Sequence, residues 1–204
     1  MEAAITACSA VLQKARASSS KNLELEVRLQ NVSEPFFNRV AAYMDSQAGS
    51  WVCTDDFFSD CGVRTSRHCT TGETSHIRKT RLGHQDLNVQ GTGEVCSLRM
   101  SLASEEVVEE VPFAVTLMMV RRKLRRSLIL KNWRVDITRV WSAPTLAEVQ
   151  RKHVLEKPTS YEIEVESLNL AELLRTKTDA HIAHDALLKA TALFKTSTPI
   201  VITL

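Results

Sequence analysis

The sequence predicts an α+β protein that is mainly antiparallel β, with about eight strands and a few packing helices. Three observations carry that prediction. Several segments alternate apolar and charged residues with a period of two, the mark of strands with one buried face. Helical spacing is confined to a few segments between and after them. The charged faces are also sorted by sign, with acids near the two ends of the strand-rich region and bases between, which suits a sheet closed into a barrel around a polar interior.

Taken in order, "MEAAITACSAVLQKARASSSK" (1–21) is rich in Ala and Ser with Lys14 and Arg16. Glu2 weighs against a transit peptide, so a short helix or flexible arm is expected. "NLELEVRLQ" alternates strictly, with Leu23, Leu25, Val27 and Leu29 on one face and Glu24, Glu26 and Arg28 on the other. "SEPFFNRVAAYMDSQ" switches to helical spacing, with Ser33 as N-cap, Pro35 in the first turn and an apolar stripe of Phe36, Phe37, Val40 and Met44. Further strands are expected in "SWVCTDDFF", "SHIRKTRL", "EVCSLRMSLA", "TLMMVRRKLRRSLIL", "WRVDITRVW" and "SYEIEVES", with "CGVRTSR" as a hairpin partner. "GHQDLNVQGTG" reads as the main loop, and helical spacing returns in "TLAEVQRKHVLEK" and from Asn169 to about Phe194.

Composition bounds the rest. With 204 residues, 44% of them hydrophobic, and few Gly and Pro, one domain can bury its own core. It is expected to divide into the 1–21 arm, strands with inserted helices over 22–167, and a C-terminal helical segment over 168–204. A formal charge of only +2 means that attraction to phosphate must come from local patches. Five cysteines, odd in number and never spaced CxxC, suggest a reduced intracellular protein without a disulfide framework or zinc site. No run is long and apolar enough to suggest a membrane span.

The charged rows are the most specific feature. In "SYEIEVES", Glu162, Glu164 and Glu166 share a face, opposite Tyr161, Ile163 and Val165. Neighbours on one face lie about 6.5 Å apart and repel by about 2–3 kcal/mol at an effective dielectric of about 20, so water, opposite charge or metal must offset them. "VRRKLRRSL" lines up Arg121, Lys123, Arg125 and Ser127, and "WRVDITRV" lines up Arg134, Asp136 and Thr138. A solvated face, or a ladder of surface salt bridges, accounts for any one row. Together the rows fit a tunnel with an acidic and a basic wall, whose natural occupant is a metal-bound polyphosphate.

These segments, from Leu23 to Glu166 and in this order, resemble the metal-dependent mRNA 5'-triphosphatases of fungi, protozoa and some DNA viruses, members of the triphosphate tunnel metalloenzymes. The resemblance implies an eight-stranded antiparallel tunnel barrel and a phosphoric anhydride hydrolase that removes the terminal phosphate of triphosphate-ended RNA, the first step of mRNA capping. It implies Mn2+ or Mg2+ on Glu24, Glu26 and Glu166, with Glu162 and Glu164 ordering metal-bound water or basic neighbours. Arg121, Lys123, Arg125 and Arg134 would hold phosphates, and Asp136 would orient the arginines. By the same resemblance Arg78, with Thr80 in the same phase, and Arg99 would be further phosphate contacts, and Glu105 or Glu106 would be the water-activating carboxylate. The pattern also has a lysine between Arg78 and Arg99, for which "GEVCSLR" offers none.

The same fold admits an inorganic tripolyphosphatase or nucleoside triphosphatase, and, from another class, a non-catalytic barrel that binds RNA or polyphosphate. No KxDG motif for guanylyl transfer is present, so the resemblance implies a separate guanylyltransferase partner and a nuclear location. Other motifs read as structural. His181 and His184 share a helix face without an evident third metal ligand, "RRKLRR" could act in nuclear import only if exposed, and Trp133 and Trp141 suit a core.

Overall fold

The alternation in "LELEVRLQ" builds the first strand of a barrel in the computed structural model, which describes residues 1–20, 22–45, 47–90, 96–109, 111, 115–194 and 200–204. In chain order the elements are α1 (Glu2–Ala17), β1 (Leu23–Gln30), α2 (Glu34–Met44), β2 (Val52–Ser59), β3 (Val63–His68), β4 (Thr74–Gln90) and β5 (Cys96–Val107). There follow β6 (Leu117–Leu130), β7 (Trp133–Ala143), α3 (Leu146–Leu155), β8 (Ser160–Ser167), α4 (Leu170–Thr176), α5 (Asp179–Ala192) and β9 (Val201–Thr203).

Eight strands run in the order β3-β2-β6-β7-β8-β1-β5-β4, and β3 pairs again with β4 to close the ring. All pairings are antiparallel, and β9 adds to β4 over Asn88–Gln90. Closure leaves each barrel strand with one face inward and one outward.

The outward apolar rows make the core. Leu25, Val27 and Leu29 of β1, Leu98, Met100 and Leu102 of β5, and Ile163 and Val165 of β8 lie under the helices with Leu12, Phe37 and Leu187. Each such side chain contributes about 1.5–3 kcal/mol by leaving water, and Leu25→Ala would cost about 2–5 kcal/mol. The stripe Ala4, Cys8, Val11, Leu12 and Ala15 is the buried face of α1. A smaller cluster, Val120, Trp141, Ala143 and Val149, seats α3.

Local signals start the helices and turns, the cap at Ser33 as the sequence suggests. Ser33 Oγ accepts a hydrogen bond from the Phe36 amide at the start of α2, and Thr145 Oγ1 accepts from the Glu148 amide at the start of α3. Gly62, at φ +74°, takes the left-handed turn between β2 and β3.

Three segments differ from expectation. The helical run from Asn169 to Phe194 divides because Thr178 caps a new helix, accepting from the His181 amide, while Arg16 donates to the carbonyls of Leu174 and Lys177 and pairs with Asp179 at 2.7 Å. Residues 83–90 of the expected loop belong to β4, since Leu87 and Val89 bury against the helices. Residues 91–93 of that loop, and residues 94 and 95 of the expected strand, lie outside the described residues. The short β9 was not foreseen.

Candidate active site

The register gathers the charged rows on the inner face of the barrel. Across β1 and β8, Glu26 stands opposite Glu166 and Arg28 opposite Glu164. Across β7 and β8, Arg134 faces Glu166, Asp136 faces Glu164 and Thr138 faces Glu162. Arg125 and Ser127 of β6 face Thr138 and Asp136. Glu24, Glu26 and Arg28 are met on the other side by Ala103, Ser101 and Arg99 of β5. One cavity of about 580 Å3 is lined by Glu26, Arg28, Lys79, Arg121 and Glu162, and a second of about 300 Å3 by Asp56, Arg125 and Arg134; Arg64 and Lys123 line both.

Within this space acids and bases interleave. Arg28 pairs with Glu164 and, at 3.4 Å, with Glu26. Arg125 lies 3.3 Å from Asp136 and 3.8 Å from Glu164. Arg121 meets Glu162 at 2.5 Å, Arg134 meets Glu166 at 2.6 Å and Asp136 at 3.0 Å, and Lys123 meets Asp56 at 2.7 Å. Ser127 donates its hydroxyl proton to Asp136 at 2.6 Å. Asp136 is thus held by Arg125, Arg134 and Ser127. The two-wall picture becomes an ionic lattice, because buried charges take whichever counter-charge lies nearest.

The lattice leaves the acids unequal. Burial raises Glu24, Glu26 and Glu166 above the ordinary glutamate range; repulsion from Glu164 adds to this at Glu26, and Glu166 is pushed up to about 7 despite Arg134. Burial would raise Glu164 too, but Arg28, Arg125, Lys123 and Lys79 together bring it below its ordinary value. Burial lowers the Lys123 ammonium against the pull of Asp56.

Glu24, Glu26 and Glu166 are hard oxygen donors on adjacent strands, and that donor chemistry suits Mg2+ or Mn2+. They are not gathered as a finished cage. Lys79 Nζ stands 2.7 Å from Glu24 and 3.4 Å from Glu26, Arg134 holds Glu166, and among the described residues no three His, Cys, Asp or Glu side chains are grouped to hold a metal ion.

Of the residues singled out in the sequence, Glu24, Glu26, Arg99, Glu105, Arg121, Lys123, Arg125, Arg134, Asp136, Glu162, Glu164 and Glu166 share the inner face by register. Arg99 is held by Asp86 at 2.6 and 2.8 Å, and Glu105 lies 3.8 Å from Arg64. Arg78 is a correction. It stands opposite Glu106, to which it bonds at 3.2 Å, on the outer face, while Lys79 stands opposite Glu105 inside. An extra residue, Leu82, sits between Arg81 and Gly83 where the register of β4 shifts. This bulge lets Lys79 and Arg81 face inward while Leu87 and Val89 face the core. Gly83 suits the spot because a Cβ there would lie 3.1 Å from Lys14 Cδ.

Lys79, which follows Arg78 in the chain, is thus a lysine on the inner face, where "GEVCSLR" offers none. Asp56, Arg64 and Arg81 also face inward and were not foreseen as site residues. Arg28 was readable from its phase with Glu24 and Glu26, whereas Asp56 and Arg64 sit on strands without a clean apolar row.

No protein-family model matches the chain, and no curated protein matches it. Among solved structures it superposes on the RNA triphosphatase Pct1 of S. pombe with a TM-score of 0.71 at 13% identity, covering 94% of this chain and 92% of that one. It superposes on the RNA triphosphatase domain of a trifunctional mimivirus mRNA capping enzyme with a TM-score of 0.61 at 18% identity, covering 92% and 96%. An eight-stranded antiparallel barrel closed by β3 and β4, matched to these structures over more than nine-tenths of its length, gives this chain the triphosphate tunnel fold of those RNA triphosphatases.

Proposed function

We propose that the chain is a metal-dependent hydrolase that removes the terminal phosphate of triphosphate-ended RNA inside the barrel. The observation that carries this reading is the closed interior in which Arg121, Lys123 and Arg125 of β6 stand among the glutamates of β1 and β8. A polyphosphate chain carries several closely spaced negative charges and needs cations along its length, and such rows of guanidinium and ammonium groups supply them. Nε of Arg28 and Nε of Arg64 are also buried without an acceptor. The choice of RNA as substrate rests on the resemblance and on what the matched proteins are named for.

In this reading Glu24, Glu26 and Glu166 would hold Mn2+ or Mg2+, which would supply positive charge to the terminal phosphate oxygens. Lys79, beside Glu24 and Glu26, would be a further cation for the phosphate chain. Arg121, Lys123 and Arg125 grip the remaining oxygens and hold the chain in line. Asp136 keeps Arg125 and Arg134 oriented, and Glu164 does the same for Arg28 and Arg125, with Glu162 on Arg121. Glu105, near enough to Glu24 to oppose its ionisation, takes the proton of the attacking water. A guanylyltransferase acting on the resulting diphosphate end, and a nuclear setting, complete the proposal.

The test is phosphate release from triphosphate-ended RNA, tripolyphosphate and ATP with Mn2+ or Mg2+, comparing wild type with folded Glu164→Ala. Metal-dependent release from RNA that the substitution abolishes is expected. Release confined to the small substrates would move the assignment to a tripolyphosphatase or nucleoside triphosphatase. No release from any of them by the folded protein would leave a phosphate-binding barrel.

A further inference from the structure

Outside the tunnel, two thiols meet across the β2–β3 hairpin. Cys53 Sγ and Cys69 Sγ are 2.9 Å apart, though the two are sixteen positions apart in the chain, and both cysteines are free. Their backbones are already paired, with the Cys69 amide donating to the Cys53 carbonyl at 2.9 Å, one step beyond the Thr54–His68 pair. Directly opposed, hydrogen-bonded residues of antiparallel strands have Cα atoms about 5.5 Å apart, inside the usual range for a disulfide. Cys69 is exposed and Cys53 part-buried, so a small oxidant can reach the pair.

We infer that Cys53 and Cys69 are a modification site at which a peroxide closes an intramolecular disulfide. In the first step one thiol loses its proton and its sulfur attacks the peroxide, giving a sulfenic acid and water. In the second the other thiol displaces that hydroxyl, forming the S–S bond and a second water. Two thiols are oxidised by two electrons and one hydrogen peroxide is reduced to two waters. Partial desolvation and the neighbouring Cys53 push the Cys69 thiol up to about 12, which slows loss of its proton but leaves the geometry intact.

No other described thiol competes. Cys8 is buried in the core under α1, and Cys61 lies beyond the far end of β2, about 20 Å along the strand from Cys53. The bond would anchor the turn that carries the chain from β3 into β4. That matters for the barrel because β3 and β4 pair over only Val63–Arg67, the short seam that closes the ring. Tying the turn to β2 removes freedom from the open-seam and unfolded states and none from the closed one.

Peroxide titration of the reduced protein, followed by alkylation and non-reducing peptide mapping, tests this. The expected result is a linked peptide joining Cys53 to Cys69 with loss of two hydrogen masses, reversed by dithiothreitol. It should come with a melting temperature higher by about 5 °C and slower amide exchange over 63–67. Cys53→Ser and Cys69→Ser should each lose the linked peptide and the shift. Oxygen addition at either cysteine in place of the link, or a link through another cysteine, would overturn the inference. A link without the thermal shift would overturn the seam-locking role.

Discussion

Lys79 reaches over β5 to place its ammonium 2.7 Å from Glu24 and 3.4 Å from Glu26, although β1 and β4 share no backbone pairing. Ala103, opposite Glu24 on one side and Arg81 on the other, is small enough to leave the path open. Burial would lower the lysine, but Glu26 and Glu24 raise it, so it stays charged. A protein cation thus stands where the proposed metal would go, and competition between them can be measured.

Lys79→Met should bind Mn2+ about tenfold more tightly in the absence of phosphate, since one repelling charge is gone. Turnover should nevertheless fall by about a hundredfold, because a phosphate ligand is lost with it. Calorimetric Mn2+ titration beside a phosphate-release assay reads both. Unchanged Mn2+ affinity would show that the metal does not share the Glu24–Glu26 site.

The phase of β4 is open to a paired test. Arg81→Ala removes an inward guanidinium and should lower turnover by about tenfold, whereas Arg78→Ala breaks an exposed ion pair with Glu106 and should stay within about twofold. The reverse ranking would move the tunnel face of β4 by one residue.

Glu164 is the counter-charge of both Arg28 and Arg125. Glu164→Ala strands two guanidinium groups in a largely enclosed interior and should cost about 3 kcal/mol in urea unfolding. Glu164→Gln keeps the shape and should recover part of that stability while remaining inactive. If Gln restored turnover, a purely structural role for Glu164 would follow.

Asp55 offers a pH test outside the tunnel. It accepts two hydrogen bonds from Arg122 at 2.8 and 2.9 Å and one from Arg67 at 3.3 Å. Burial acts to raise its carboxyl, but these arginines win and hold it below the ordinary value of 3.8. The resulting stability is fully present above pH 3.8 and is lost as pH falls through the lower folded value. Asp55→Asn should therefore be less stable than wild type by about 2–3 kcal/mol at neutral pH, with the gap closing below pH 3.8. Thermal melts of both proteins across the acid range check it, and a gap constant with pH would contradict the arginine-paired carboxylate.

The sequence by itself determined the faces of β1, β6, β7 and β8. Each sets charges inward against an outward row that is largely apolar, such as Leu23, Leu25, Val27 and Leu29 or Tyr161, Ile163 and Val165, and one buried row fixes a period-two pattern. The cap at Ser33 was equally local.

Only the tertiary structure decided β4, because "HIRKTRL" carries cations in both phases. Its inward face depends on the Leu82 bulge and on the pressure of Lys14 against Gly83. The same holds for which base meets which acid. Asp56 with Lys123, Arg64 with Glu105 and Lys79 with Glu24 join residues far apart in the chain, and their meeting is set by register and closure, which no single strand encodes.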